Sequence, residues 1–227
     1  MDGPITVNEP VVFENKEVIV KAGTTITIKT EVEHALHIKK GVLKVNGTAE
    51  KPVLIVSDHK GEQEKEDINA IFLENSEAHI SHAHFRNNGW ALHVHFSDLL
   101  VKNCLFEKNY GGIRLTGGNN NIRQNVFSDN DIAIRFLNSS PNITNNIFFG
   151  NKRAIFIREG VESAFIEKNG FYKNGYDFYT GFFQPKDILA VNNFFANEPS
   201  IFDAKKDPAL KATVNTNPLL KTFPDWH

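Results

Sequence analysis

Apolar and polar residues alternate over short runs along most of the chain, as in Ile132-Ala133-Ile134-Arg135-Phe136. A period of two belongs to strands, whereas a helix repeats its apolar face every 3.6 residues. The runs themselves recur. Phe85, Phe106, Phe127 and Phe148 fall 21 residues apart, and Phe171 and Phe194 continue the series at a spacing of 23. Three residues after each stands an asparagine: Asn88, Asn109, Asn130, Asn151, Asn174 and Asn197. Five residues before each stands an aliphatic, Ile80, Val101, Ile122, Ile143, Ile166 and Leu189, and seven after comes Leu92, Ile113, Ile134, Ile155, Phe178 or Ile201. Four columns filled in six consecutive units define an internal repeat of short strands and turns.

One such unit cannot stand alone. It buries about four apolar side chains at roughly 1.5–3 kcal/mol each, against an ordering cost of about 1–2 kcal/mol for every residue it fixes. Stacking solves this, because each strand then pairs with its counterparts about 4.8 Å above and below while the Ile and Phe columns merge into one interior. The pattern therefore predicts an all-β fold, a single-stranded right-handed parallel β-helix of about nine coils with a C-terminal cap. The asparagine column fits turns whose short amides satisfy the backbone and bond the next coil's amide. Those asparagines are structural.

The N-terminal third has a looser texture. Strand-like runs at Val18-Ile19-Val20, Thr25-Ile26-Thr27-Ile28, Leu36-His37-Ile38, Val42-Leu43-Lys44-Val45 and Val53-Leu54-Ile55-Val56 are broken at Ala22-Gly23, Lys40-Gly41 and Asn46-Gly47. Ala22-Gly23-Thr24-Thr25, Gly41-Val42-Leu43 leading to Gly47-Thr48, and Pro52-Val53-Leu54-Ile55 resemble the opening coils of bacterial β-helix proteins. With the later Phe and Asn columns, the resemblance is to the pectin-lyase-like parallel β-helix superfamily, over roughly residues 10 to 203. It speaks to fold more than to activity. The whole chain, 1–227, reads as one domain, with opening coils at 10–58, a polar loop at 59–68, regular coils of 21–23 residues at 69–203 and a cap at 204–227.

Composition narrows the partners. A formal net charge of -2 provides no global basic field, so nucleic acid is not expected. No apolar run reaches membrane-spanning length. The single cysteine, Cys104, cannot form an internal disulfide and leaves the redox compartment open. A periplasmic or extracellular location, with the signal peptide already removed before Met1-Asp2-Gly3-Pro4, fits the β-helix resemblance.

Candidate chemistry begins with carboxylates. Glycosidases that resemble this fold cluster aspartates on one outer face, since hydrolysis needs an acid and a base flanking the bond. Here Asp58, Asp67, Asp98, Asp129, Asp131, Asp177 and Asp187 scatter over unrelated columns, and no adjacent Asp pair occurs. The grouped carboxylates of a calcium-dependent lyase are missing as well. With Leu92, Ile113, Ile134, Ile155 and Phe178 inward, the next residue of each coil points outward: His93, Arg114, Arg135, Phe156 and Tyr179. Trp90, Tyr110, Arg158 and Tyr176 belong to the same edge, with Asp131 close by. Guanidinium forks suit carboxylate or sulfate, and flat rings suit sugar faces. The expected function is thus a non-enzymatic module that binds an anionic polysaccharide along this ladder. A polysaccharide lyase using Arg114 or Arg135, and a purely structural or protein-binding rod, are the alternatives.

Histidines form a second constellation. His79, His82 and His84 precede Phe85, while His93 and His95 follow the turn at Asn87-Asn88-Gly89. Imidazoles suit zinc and copper, and some β-helix proteins resembling this one assist copper delivery to a periplasmic enzyme. However, the turn separates the two groups, and His93 with His95 make one i, i+2 pair lacking a third ligand. The sequence therefore predicts no shared metal site and no cofactor. Cys104 lies two residues before Phe106, where other units carry Ala83, Asn125, Asn146 and Asn169, and reads as a small wall residue.

Overall fold

A computed structural model describes residues 1–29, 32–58, 68–161, 163–180, 187–196, 200–203 and 214–216. Its strands form three faces, and every pairing between them is parallel. One regular coil contains Asp98–Lys102 on what we number the third face, Leu105–Glu107 on the first and Gly111–Thr116 on the second. The next contains Asn120–Arg123, Val126–Ser128 and Ile132–Leu137. Val101 pairs with Ile122, Phe106 with Phe127 and Ile113 with Ile134, so one repeat advances all three faces by one step. The chain is a right-handed parallel β-helix, the hand that parallel crossovers favour. Nine strands on the second face, from Val11–Glu14 to Ile201–Asp203, make about eight turns.

Sharp corners separate the faces, and two of them are built in the same way. At one corner Lys108, Asp129 and Lys173 hold φ between +52° and +54°, and Gly150 holds +66°. Left-handed backbone is uncommon outside glycine. The next residue in each coil compensates with its side chain. Asn109 donates from Nδ2 to Phe85 O at 3.1 Å, and its Oδ1 accepts the backbone N–H of Asn88 at 3.0 Å. The same pattern runs through Asn130, Asn151 and Asn174. It is the predicted ladder.

A second ladder runs along another corner through Asn125, Asn146, Asn169 and Asn193. Cys104 stands at its end. The Cys104 N–H donates to Asn125 Oδ1 at 3.0 Å, and its sulfur accepts the Ala83 N–H at 3.4 Å while facing Lys102 O at 3.2 Å. Burial pushes the Cys104 thiol up to about 12.

Inside, Phe85, Phe106, Phe127, Phe148 and Phe171 stack with ring centroids 4.7–5.1 Å apart and rings within 12° of parallel. The expected sixth member is corrected: Phe195, not Phe194, stacks on Phe171 at 4.9 Å. The neighbouring column shifts equally, since Ile166 pairs with Ala190 instead of Leu189. This last coil is one residue longer than the spacing of 23 implies, and a one-residue slip in a strand exchanges its faces. Phe194 pairs with Gly170 and stays half-buried. Asn197, the greater part of the polar run at 59–68 and most of the expected cap lie outside the described residues. The strand Val214–Thr216 pairs in parallel with Asp187–Phe195. Among the described residues no helix is long and apolar enough to cross a membrane.

Candidate functional site

The outer side of the second face carries the predicted column in register. His93 pairs with Arg114, Arg114 with Arg135, Arg135 with Phe156 and Phe156 with Tyr179. Toward the N-terminus the column continues through Phe72, His37 and Val12. Parallel pairing thus lays an imidazole-rich half against a guanidinium and aromatic half. The junction falls between His93 and Arg114.

In the first half Phe72 forms a hub. Its ring lies 4.8 Å from His34, 4.7 Å from His37, 5.0 Å from His93 and 5.3 Å from His95, measured between centroids. His93 and His95 point the same way from one strand, and their Nε2 atoms meet at 2.8 Å. One of the two nitrogens donates its proton and the other offers a lone pair. Burial first, and then the Arg114 guanidinium, lower the His93 imidazole to about 2. The same two causes lower His95. Both rings are therefore neutral, the form in which imidazole ligates a metal. His37 is engaged elsewhere, with its Nε2 2.9 Å from Glu74 Oε2, and His34 Nδ1 faces Asn69 Nδ2 at 2.8 Å.

In the second half guanidiniums lie over rings. Arg114 sits 6.0 Å from the Trp90 ring, Arg135 5.6 Å from Phe156 and Arg153 4.9 Å from Tyr179, within reach of a cation–π attraction. Trp90 is fully buried, packed edge-on to Tyr110 and over Gly111, where a Cβ would meet its ring at 2.1 Å. Arg135 is 6% exposed, whereas Arg114 is only half-buried.

The remaining predicted residues sit at the margins. Asp131 pairs with Lys152 at 2.9 Å, Arg158 forks onto Glu159, and Tyr176 packs edge-on to Tyr179. His79 is exposed beside Glu77 on the third face, and His84 faces Glu107 on the first. They are thus separated from His93 and His95. Among the described residues no three His, Cys, Asp or Glu side chains converge on a position that would hold a metal ion. Sequence reasoning missed His34, His37 and Phe72 as neighbours of the pair. His37 precedes Phe72 by 35 residues while Phe72 precedes His93 by 21, so the repeat spacing that aligned later coils does not reach it.

A family model described as periplasmic copper-binding protein (NosD) matches residues 15–218. The chain belongs to the NosD family. NosD is a periplasmic family, in keeping with the expected periplasmic or extracellular location. No curated protein and no solved structure matches the chain.

Proposed function

We propose that the chain binds copper as cargo on the outer side of its second face, with His93 and His95 as the donors. The observation that carries this reading is the pair of neutral imidazoles with Nε2 atoms 2.8 Å apart, beneath the Phe72 ring. Imidazole nitrogen suits copper, and structural zinc normally requires four ligands. A two-nitrogen donor set fits monovalent copper, which accepts low coordination. The neighbouring Arg114 charge acts in the same direction, because it opposes a divalent ion more than a monovalent one. Loading requires the two rings to part from hydrogen-bond contact and the ring that carries the Nε2 proton to take its Nδ1–H tautomer, so that both Nε2 lone pairs face the ion. The family's description as copper-binding supports the reading.

Anaerobic competition of the parent protein against a chromophoric Cu(I) chelator tests it. One copper per chain is expected, lost in His93→Ala/His95→Ala and kept in His79→Ala/His84→Ala. Equal affinity in the parent and the His93→Ala/His95→Ala variant would refute it.

A second reading, an anionic polysaccharide laid along the other half of the same face, is supported by the guanidiniums stacked on Trp90, Phe156 and Tyr179. A glycan array should then give hits among uronic or sulfated oligosaccharides that Arg114→Ala/Arg135→Ala removes. Hits of equal strength in the variant would return these side chains to a structural role.

A further inference from the structure

Arg114 and Arg135 are register partners on adjacent coils, so their backbones run about 4.8 Å apart. Like charges placed side by side on a ladder repel. Asp131 pairs with Lys152 and Glu74 with His37, while Glu159 pairs with Arg158 and also interacts with Arg135. Among the described residues no acid pairs with Arg114. Two buried donors also lack an acceptor among the described residues, the Arg114 Nε–H and the Trp90 Nε1–H, and the Arg114 guanidinium carbon lies 6.0 Å from the Trp90 ring centroid. Buried N–H groups are nearly always satisfied, and leaving one unmade is costly. A third buried nitrogen, His93 Nδ1, on the register partner of Arg114, has no hydrogen-bond partner among the described residues. Charge, orphaned donors and a guanidinium reachable from solvent coincide at one position.

We infer that Arg114, flanked by Trp90 and Arg135, is the centre of an oxyanion-binding site that takes a sulfate or carboxylate group. The guanidinium fork matches two oxygens of such a group. Its source is either a free inorganic anion or the acid group of a sugar chain. Occupancy has a consequence for the neighbouring imidazoles. An anion at Arg114 cancels the positive field that reaches His93 and His95, and so favours a cation between them. Binding couplings are reciprocal, so copper in turn tightens the anion. The site itself is independent of the copper reading, and only the coupling rests on it.

Calorimetric titration of the metal-free parent protein with sodium sulfate, against sodium chloride at matched ionic strength, tests the site. Saturable binding of one sulfate per chain is expected, weakened roughly 10-fold or more in Arg114→Gln and unchanged in Arg86→Gln, which removes an exposed arginine of the first face. The absence of saturable binding, or equal loss in both variants, overturns the proposal. A parallel titration with a short oligogalacturonate identifies the source: tighter binding than sulfate assigns a sugar acid, and weaker binding a free anion. Cu(I) competition with and without saturating sulfate then tests the coupling, with an affinity gain of about 5-fold or more expected. Sulfate binding without that gain would remove the coupling and leave the site, and a chain that binds sulfate but no copper would fail the copper reading alone.

Discussion

His93 and Arg114 stand opposite one another on adjacent coils, an imidazole beside a permanent positive charge. Burial first, and this guanidinium second, keep the imidazole neutral, and the guanidinium at the same time sets a field against any cation the ring binds. A unit charge at about 4 Å acts with about 1 kcal/mol in water and about 4 kcal/mol near a protein surface. In sulfate-free buffer Arg114→Gln should therefore tighten Cu(I) binding, by roughly 10-fold. Weaker binding in the variant would mean that the guanidinium supports the site instead of opposing it.

Asn130 tests the ladder. Its Oδ1 accepts from the N–H and Nδ2 of Asn109, and its Nδ2 donates to Phe106 O and Asn151 Oδ1, all within 3.0 Å. Asn130→Ala leaves these buried groups unmade, at a cost on the order of 3 kcal/mol. Asn130→Asp should be no better, since a carboxylate accepts but cannot donate to the two oxygens. Asn142→Ala, on an exposed strand position, should shift a urea midpoint little.

The phenylalanine stack makes a second stability prediction. Phe127 is fully buried between Phe106 and Phe148, and Phe127→Ala should cost about 3–5 kcal/mol. Phe149, one residue on from the stack and 36% exposed, should tolerate alanine with a small loss. Comparable losses at the two sites would contradict the inward and outward assignment.

Much of this architecture is legible in the sequence because each regular coil has a fixed length. Phe85 to Phe171 align by counting, and the outward column from His93 to Tyr179 follows from the alternation of faces. Counting fails where a coil changes length. The extra residue before Ala190 moved Phe195 into the place expected of Phe194, and the long coil between His37 and Phe72 hid the first half of the histidine cluster. The second asparagine ladder was visible in Asn125, Asn146 and Asn169. Its shared corner became clear only when Cys104 was seen to occupy the same place, with sulfur standing in for an amide.

Cys104 should be inert in the native state. Burial pushes its thiol up to about 12, so almost no thiolate, the reactive form, exists at neutral pH. A disulfide reagent should label it only after unfolding in urea. Rapid native labelling would place the side chain at the surface.

Asp177 gives a pH dependence of known sign. Burial raises its carboxyl above the ordinary 3.8, despite hydrogen bonds from Asn174 and Ser200. A group whose folded pKa is raised contributes stability below its unfolded value and loses it as pH rises through the folded value. The melting temperature of Asp177→Asn relative to the parent should therefore improve as pH rises above the ordinary carboxylate value of 3.8. A difference that worsens with rising pH would show the carboxylate to be stabilised by its surroundings.

X-ray absorption at the copper edge of the Cu(I)-loaded protein reads the donor atoms themselves. A nearest shell of two nitrogens with the outer-shell scattering of imidazole rings and no sulfur is expected, collapsing in His93→Ala/His95→Ala. A sulfur scatterer from Cys104 or Met1, or an unchanged nitrogen shell in that variant, would contradict copper binding by this histidine pair.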